Sequence, residues 1–400
     1  MNGGVIMVKH WKNLICVVCS ITMIGTLLTG CGSGGETNQE TKKIAIICDS
    51  AGQNDNGYNQ SAIEGAKKVQ EEFGYETKIV EPTNGVPAAL ESLAEDGYDI
   101  IFNLAYDFDA LIKGVGGTEP IAKTYPDTTF VCFNDNPNVN EDGSPIHENV
   151  ISVLFDVHEG SFLAGALSVQ VLENADILFE SDNYNFTPAD KNGRAIGFIG
   201  GTNSNGITVF SYGFIEGINY AAKNAGVTYD YYSKYDAGFS DPALGSTVAG
   251  TYYNQGANIV YAVAGNVGDG VTAKAKEVGK LAIQVDADKD DQQPGFVLTS
   301  VLKNTEVPVY ELSKALKEGT LAEQESLLTF ALSTGATGIT DLSEIEKSIA
   351  DTEEAKAKWS EIKDYIKEVE NEIGNGTIKV TNAAIGEELD QGACENVIMK

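Results

Sequence analysis

The sequence predicts an α/β protein made of two doubly wound, parallel-sheet domains. Three observations predict it. From Lys43 onward, apolar runs of strand length alternate with amphipathic helical stretches. The alternation restarts at Arg194 after a first pass that closes at Phe155. The body of the chain, about 360 residues once a leader is set aside, exceeds what one hydrophobic core organises. Its strands are continuously apolar, the pattern of a parallel sheet covered by helices on both faces.

Before the first strand comes an address. Lys9, His10 and Lys12 precede an apolar stretch from Leu14 to Leu28, which ends in Leu28-Thr29-Gly30-Cys31 and a Gly/Ser run. A positive start, a short apolar centre and small residues at the cut describe a secretory signal, too short and too soon interrupted for a comfortable membrane span. The tetrapeptide resembles the lipobox of bacterial lipoproteins, so residues 1–30 are expected to be removed. Cys31 would then carry acyl chains into the bilayer, with residues 31–42 as a flexible tether.

Lys43 to Gly65 is the first β-loop-α unit. Ile44 to Cys48 is strand-like, the loop from Asp49 to Gln60 is rich in Gly, Asn and Asp, and Ala62, Ala66 and Val69 mark the following helix. In open α/β sheets ligands sit beyond the carboxyl ends of the strands, which makes this polar loop a candidate site. Further strands are expected at Thr77–Val80, Asp99–Leu104, Thr128–Phe133 and Ile151–Phe155, with helices at Val86–Ala94 and Asp109–Val115. The helical stretch 159–172 leads to the second pass. That pass places strands at Arg194–Ile199, Tyr229–Tyr235, Ile259–Ala264, Ala282–Val285 and Val297–Val301, with helices at Phe210–Asn224, Asp241–Asn254 and Gly268–Val278. Residues 43–156 are expected to form the first lobe, completed by about 296–328, and 157–295 the second, completed by about 329–400. Glu344 to Glu372 reads as a charged helix, Gly376 to Val380 as a closing strand, and 387–400 has no assigned place.

Composition narrows the partners. With 58 acidic against 27 basic residues the formal charge is −31; loss of the leader with Lys9 and Lys12 takes it to −33. Such a field repels nucleic acid. Outside the leader and Cys31, three cysteines remain: Cys48 and Cys132, expected as buried thiols in strands, and Cys394. Once the leader with Cys16 and Cys19 is removed, no CxxC pair or His-rich spacing is left to point to a metal or redox centre, and no cofactor is implied. Two histidines, His147 and His158, follow the leader, and no Ser-His-Asp or Cys-His arrangement accompanies them.

Several stretches then carry a resemblance. They are Tyr-Asn-Gln-Ser-Ala-Ile-Glu-Gly at 58–65, Glu-Gly-Ser-Phe-Leu-Ala-Gly at 159–165, Gly-Phe-Ile-Gly-Gly at 197–201 with Phe210 and Gly213-Phe214, and Phe239-Ser240-Asp241-Pro242. The run from Ala264 to Val271, the stretch Val285-Asp286-Ala287-Asp288 and Leu298 to Lys303 complete the set. In order from about residue 43 to Val380, they resemble the basic membrane protein (BMP) family of ABC-transporter substrate-binding lipoproteins, whose best understood members are purine nucleoside receptors. The resemblance implies a type I periplasmic-binding-protein fold, two lobes joined by three crossovers and closing on a ligand.

It also implies site residues. Tyr58 stands where the family places an aromatic, usually Phe, with Asn59 beside it; Phe210 matches the second aromatic, and the two rings would sandwich a purine. Asp286 and Lys303 fall where the family holds the ribose hydroxyls, a carboxylate accepting from a diol while an ammonium donates. Asp49 ends the first strand, Tyr106 and Asp107 follow the third, and Gly265 opens a Gly-x-x-Gly-x-Gly turn that would let backbone amides approach the ligand. Asn56-Gly57 replaces the family's usual Lys-Ser, and Tyr106-Asp107 places its acid differently from the usual arrangement. Read this way, the chain is no enzyme but a monomeric, membrane-anchored receptor that passes a purine nucleoside to an ABC permease with its ATPase subunits. A sugar or another aromatic metabolite in the same fold, and a cell-surface nucleoside hydrolase or phosphorylase, remain open alternatives on these residues.

Overall fold

A computed structural model describes residues 41–400; the leader and Cys31 lie outside them. The first pass runs β1 (Lys43–Ile47), α1 (Tyr58–Phe73), β2 (Glu76–Val80), α2 (Val86–Glu95), β3 (Ile100–Asn103), α3 (Asp109–Ile112), α4 (Ile121–Thr124), β4 (Thr129–Phe133) and β5 (Val150–Phe155). The second runs α5 (Val157–Leu172), α6 (Ala175–Leu178), β6 (Ala195–Gly200), α7 (Asn205–Ala225), β7 (Tyr229–Lys234), α8 (Pro242–Asn254), β8 (Ile259–Val263), α9 (Val267–Val278), β9 (Leu281–Asp286) and β10 (Val297–Lys303). The chain ends with α10 (Glu306–Glu318), β11 (Leu327–Phe330), β12 (Thr337–Ile339), α11 (Ser343–Glu346), α12 (Glu353–Gly374) and β13 (Val397–Met399).

The strands form two sheets, ordered β11-β5-β4-β3-β1-β2 and β12-β10-β9-β8-β6-β7-β13. Every pairing is parallel except β10 with β12. The central strands β3, β6 and β8 are buried along their whole length, which is why they read as unbroken apolar runs rather than alternating ones. The chain passes between the two sheets three times: from β5 into α5, from β10 into α10, and from β11 to β12. This is the type I periplasmic-binding-protein architecture with its three-crossover hinge.

Helix packing explains glycines that sequence alone leaves ambiguous. A Cβ on Gly213 or Gly217 of α7 would lie 2.1 Å from the His158 carbonyl oxygen or 2.0 Å from that of Phe162, so α7 can rest on α5 only through bare backbone. Gly270, read both as part of a ligand-facing Gly turn and within a helix from Gly268, belongs to α9, where a Cβ would meet the Pro242 carbonyl oxygen at 1.7 Å; its task is to bring α9 against α8. Gly268 is likewise helical.

Three further expectations need correction. β10, expected to complete the first lobe, pairs with β9 and β12 in the second sheet, and only the segment after it returns to the first. Gly376–Val380 forms no strand. The tail without a place supplies β13, which adds a parallel edge to β7, fastened by Asn396 Nδ2 to the Val227 carbonyl at 2.6 Å.

Candidate functional site

The carboxyl end of β1 leads through Asp49 into a loop folded around Asp55. The Asp55 carboxylate accepts the backbone N–H groups of Gly57 (3.1 Å), Asn59 (2.9 Å) and Gln60 (3.1 Å), neutralising the donors that the start of α1 leaves unpaired. Asn59 is fully buried. Its Nδ2 donates to Asp49 Oδ1 at 2.6 Å and to Asp55 Oδ2 at 3.1 Å, and its Oδ1 accepts the Asp49 N–H at 2.9 Å. Both amide hydrogens are therefore spent inside the loop, and Asn59 positions Asp49 rather than reaching outward. Asp49 Oδ1 also takes the Ala51 N–H at 2.9 Å, while its Oδ2 has no donor among the described residues.

Tyr58, the first residue of α1, turns its ring inward. Its hydroxyl donates to the Leu104 carbonyl at 3.2 Å and accepts from Asn134 Nδ2 at 2.6 Å. The same Nδ2 lies 3.0 Å from the Tyr106 hydroxyl, so Asn134 joins the two tyrosines. Asn134 follows β4 with φ at +65°, a left-handed conformation that Asn tolerates better than most residues. Tyr106 is over half exposed; its hydroxyl end reaches Gly206 of α7, across the cleft. Asp107 is exposed beside it, and together with Asp49 and Phe239 they line a cavity of about 490 Å³ at the mouth.

From the second lobe come Phe210, Asp286 and Gly265. Phe210 lies in the second turn of α7 and is 2 % exposed. Asp286 ends β9 with φ at +76°, a strained backbone of the kind that clusters at ligand sites. Gly265, φ +53°, packs against Phe239: a Cβ there would meet the Phe239 carbonyl oxygen at 2.9 Å. Its role is to seat that loop.

Lys303 ends β10, at the second crossover. Its ammonium lies 5.0 Å from the Tyr58 ring centroid, 5.4 Å from that of Phe155 and 5.6 Å from that of Phe210. Burial lowers its pKa to about 8, against the pull of Asp286 and Asp49. Burial raises the Asp286 carboxyl, and Lys303 and Lys289 oppose that. Burial raises Asp49 too, with the Asn59 hydrogen bond working the other way. Among the described residues neither the Asp286 carboxylate nor the Lys303 ammonium makes a hydrogen bond. Lys303 is buried, its ammonium lies within 6 Å of three aromatic rings, and the half-buried Asp286 and Asp49 carboxylates are close enough to act on its charge.

Sequence reasoning missed Asn134 and Phe155. Both sit at carboxyl ends of strands, β4 and β5, the one position that would have singled them out.

Comparisons with known proteins bear on the family and the fold. Residues 42–382 match the sequence profile described as ABC transporter substrate-binding protein PnrA-like. Basic membrane protein A1 of Borrelia garinii subsp. bavariensis is 29 % identical over 317 residues, 78 % of this chain and 83 % of that protein. Basic membrane protein A of Borreliella burgdorferi is 28 % identical over 327 residues, 80 % of this chain and 86 % of that one. Among solved structures, an ABC transporter solute-binding protein from Aeropyrum pernix K1 superposes with a TM-score of 0.69 at 22 % identity, covering 89 % of this chain and 99 % of its own. A periplasmic solute-binding protein from Actinobacillus succinogenes with bound D-allose gives 0.53 at 13 % identity, covering 77 % and 100 %. The two structures share the fold, the profile covers nearly all of the described body, and the chain belongs to the PnrA-like family of ABC transporter substrate-binding proteins.

Proposed function

We propose that this protein captures a nucleoside, most fittingly a purine nucleoside, between its two lobes and hands it unaltered to the permease of an ABC importer, from a position at the outer face of the cell membrane to which acylated Cys31 tethers it. One observation supports the reading: the Lys303 ammonium, without a hydrogen-bond partner among the described residues, stands beside the Tyr58 and Phe210 rings and within the electrostatic reach of the Asp286 carboxylate, which has none either. A vicinal diol meets both needs, donating two hydroxyl hydrogens to the carboxylate and accepting from the ammonium. A flat heterocycle joined to that diol would take the place over the Tyr58 and Phe210 rings that the ammonium covers in this structure.

Charge favours a neutral ligand. Asp49, Asp55 and Asp286 face two ammonium groups, Lys303 and Lys289, which leaves an excess negative charge opposed to a phosphate. Neither histidine is free to serve as a catalytic base in the cleft: the His147 ring meets the Ile112 carbonyl at 2.9 Å, and His158 is buried beside Asp156 at the first crossover. Mass spectrometry of the small molecule released on denaturing the freshly purified protein tests the proposal. A nucleoside supports it; a free sugar or an unrelated metabolite at one equivalent contradicts it.

A further inference from the structure

Lys289 stands in the charged run Asp288-Lys289-Asp290-Asp291, yet it is 3 % exposed. Its backbone N–H donates to Ser300 Oγ at 3.0 Å, and the Ser300 and Thr340 hydroxyls each donate to the neighbouring Asp290 carboxylate at 2.6 Å. The loop after β9 is thereby pinned to its own lobe. From that base the side chain crosses to the other one. A Cβ on Gly57 of the first lobe would lie 3.1 Å from Lys289 Nζ and 3.4 Å from Asp286 Cβ. The receiving loop is equally fixed, through the Asp55 carboxylate and its three backbone donors.

Closing the cleft brings Asp49 and Asp55 of the first lobe towards Asp286 of the second, and like charges in a water-poor space repel. Lys303, at the crossover, offsets part of that repulsion. We propose that Lys289 is a positioning residue for lobe closure: it carries the second countercharge into the carboxylate cluster and seats on the first lobe at Gly57, where an added methyl would crowd the ammonium at 3.1 Å. The inference rests on reading the cleft as the ligand site.

The test measures the lobes directly. Spin labels on Glu71→Cys of α1 and Lys276→Cys of α9, both exposed, report the interlobe distance in the mature protein, freed of its leader and acylated at Cys31, in detergent; Cys48, Cys132 and Cys394 are buried. Lys289→Ala should lengthen that distance without ligand and raise the dissociation rate of bound guanosine about tenfold. Gly57→Ala, which sets a methyl against the ammonium, should do the same, and the double variant should do no more than Lys289→Ala alone, as coupled neighbours do. An interlobe distance unchanged by Lys289→Ala, even alongside a lowered melting temperature, or effects of the two substitutions that simply add, would overturn the inference. Since the distance is read without ligand, failure of the wild type to bind any nucleoside counts against the function proposed above, while the distance still decides the role of Lys289.

Discussion

The Lys303 ammonium lies 5.0 Å from the centroid of the Tyr58 ring, a cation from the hinge covering an aromatic from the first lobe. A buried ammonium without a hydrogen-bond partner is costly to the folded state, and the fall of its pKa from 10.5 to about 8 expresses that cost. Lys303→Met should therefore leave the melting temperature unchanged or higher at pH 7 while weakening ribonucleoside binding at least about tenfold. Thermal unfolding and calorimetry on the same sample check both parts. A variant that melts lower yet binds as before would make Lys303 a structural residue.

The two rings should separate in their effects. Tyr58→Leu should weaken nucleoside binding by roughly 1 to 3 kcal/mol, about 5- to 150-fold. Phe210→Ala should lose as much affinity and also cost about 3 kcal/mol or more of stability, because Phe210 is 2 % exposed and packed within the core. Denaturant unfolding alongside calorimetry measures both, and unaltered affinity in the folded fraction of Phe210→Ala would remove its ring from the ligand.

Burial pushes the carboxyls of Asp156 and Asp290 up to about 6 from 3.8. An acid whose folded pKa is raised holds its proton better when folded, so its contribution is complete below about pH 4 and is lost as pH rises to 6. His158, lowered to about 4 from 6.5 by burial, acts in the opposite sense over the same range. With two carboxyls against one imidazole, and a formal charge of −31 that acid relieves, the melting temperature should fall between pH 5 and pH 7. Asp290→Asn should show a shallower fall. A melting temperature that climbs over that interval would contradict the assignment.

Cys31→Ser should abolish membrane retention and leave the body folded, since the proposed anchor and the described residues are joined by a polar tether. Detergent-phase partitioning checks this, and continued partitioning of the processed serine variant with membranes would rule out the lipid anchor.

What the sequence discloses follows from what each residue does locally. β1 with its polar loop, and the repeated apolar runs, were legible because burial on both faces of a parallel sheet leaves an unambiguous pattern. The side on which β10 pairs was not, because an apolar strand reads the same in either sheet and its partners are far away in sequence. Lys289 and Asp290 stand in a charged run yet are buried, because Ser300, Thr340 and Gly57, none of them adjacent in sequence, pack against them. Asn134 is one asparagine among several, distinguished only by the two tyrosines that the fold brings to it.

The central claim is that Asp286 and Lys303 read a ribose diol, and calorimetry with guanosine, 2′-deoxyguanosine and guanosine monophosphate tests it most directly. A deoxynucleoside leaves part of a buried carboxylate without a donor, at a cost of about 1 to 3 kcal/mol, so it should bind at least roughly tenfold more weakly than the ribonucleoside. Asp286→Asn, with one acceptor oxygen in place of two, should erase most of that preference. The monophosphate should bind more weakly still, since a dianion meets an excess of carboxylates in a closed cleft. Equal affinity for guanosine and 2′-deoxyguanosine would take Asp286 and Lys303 out of the site, and tight binding of the monophosphate would contradict the nucleoside assignment itself.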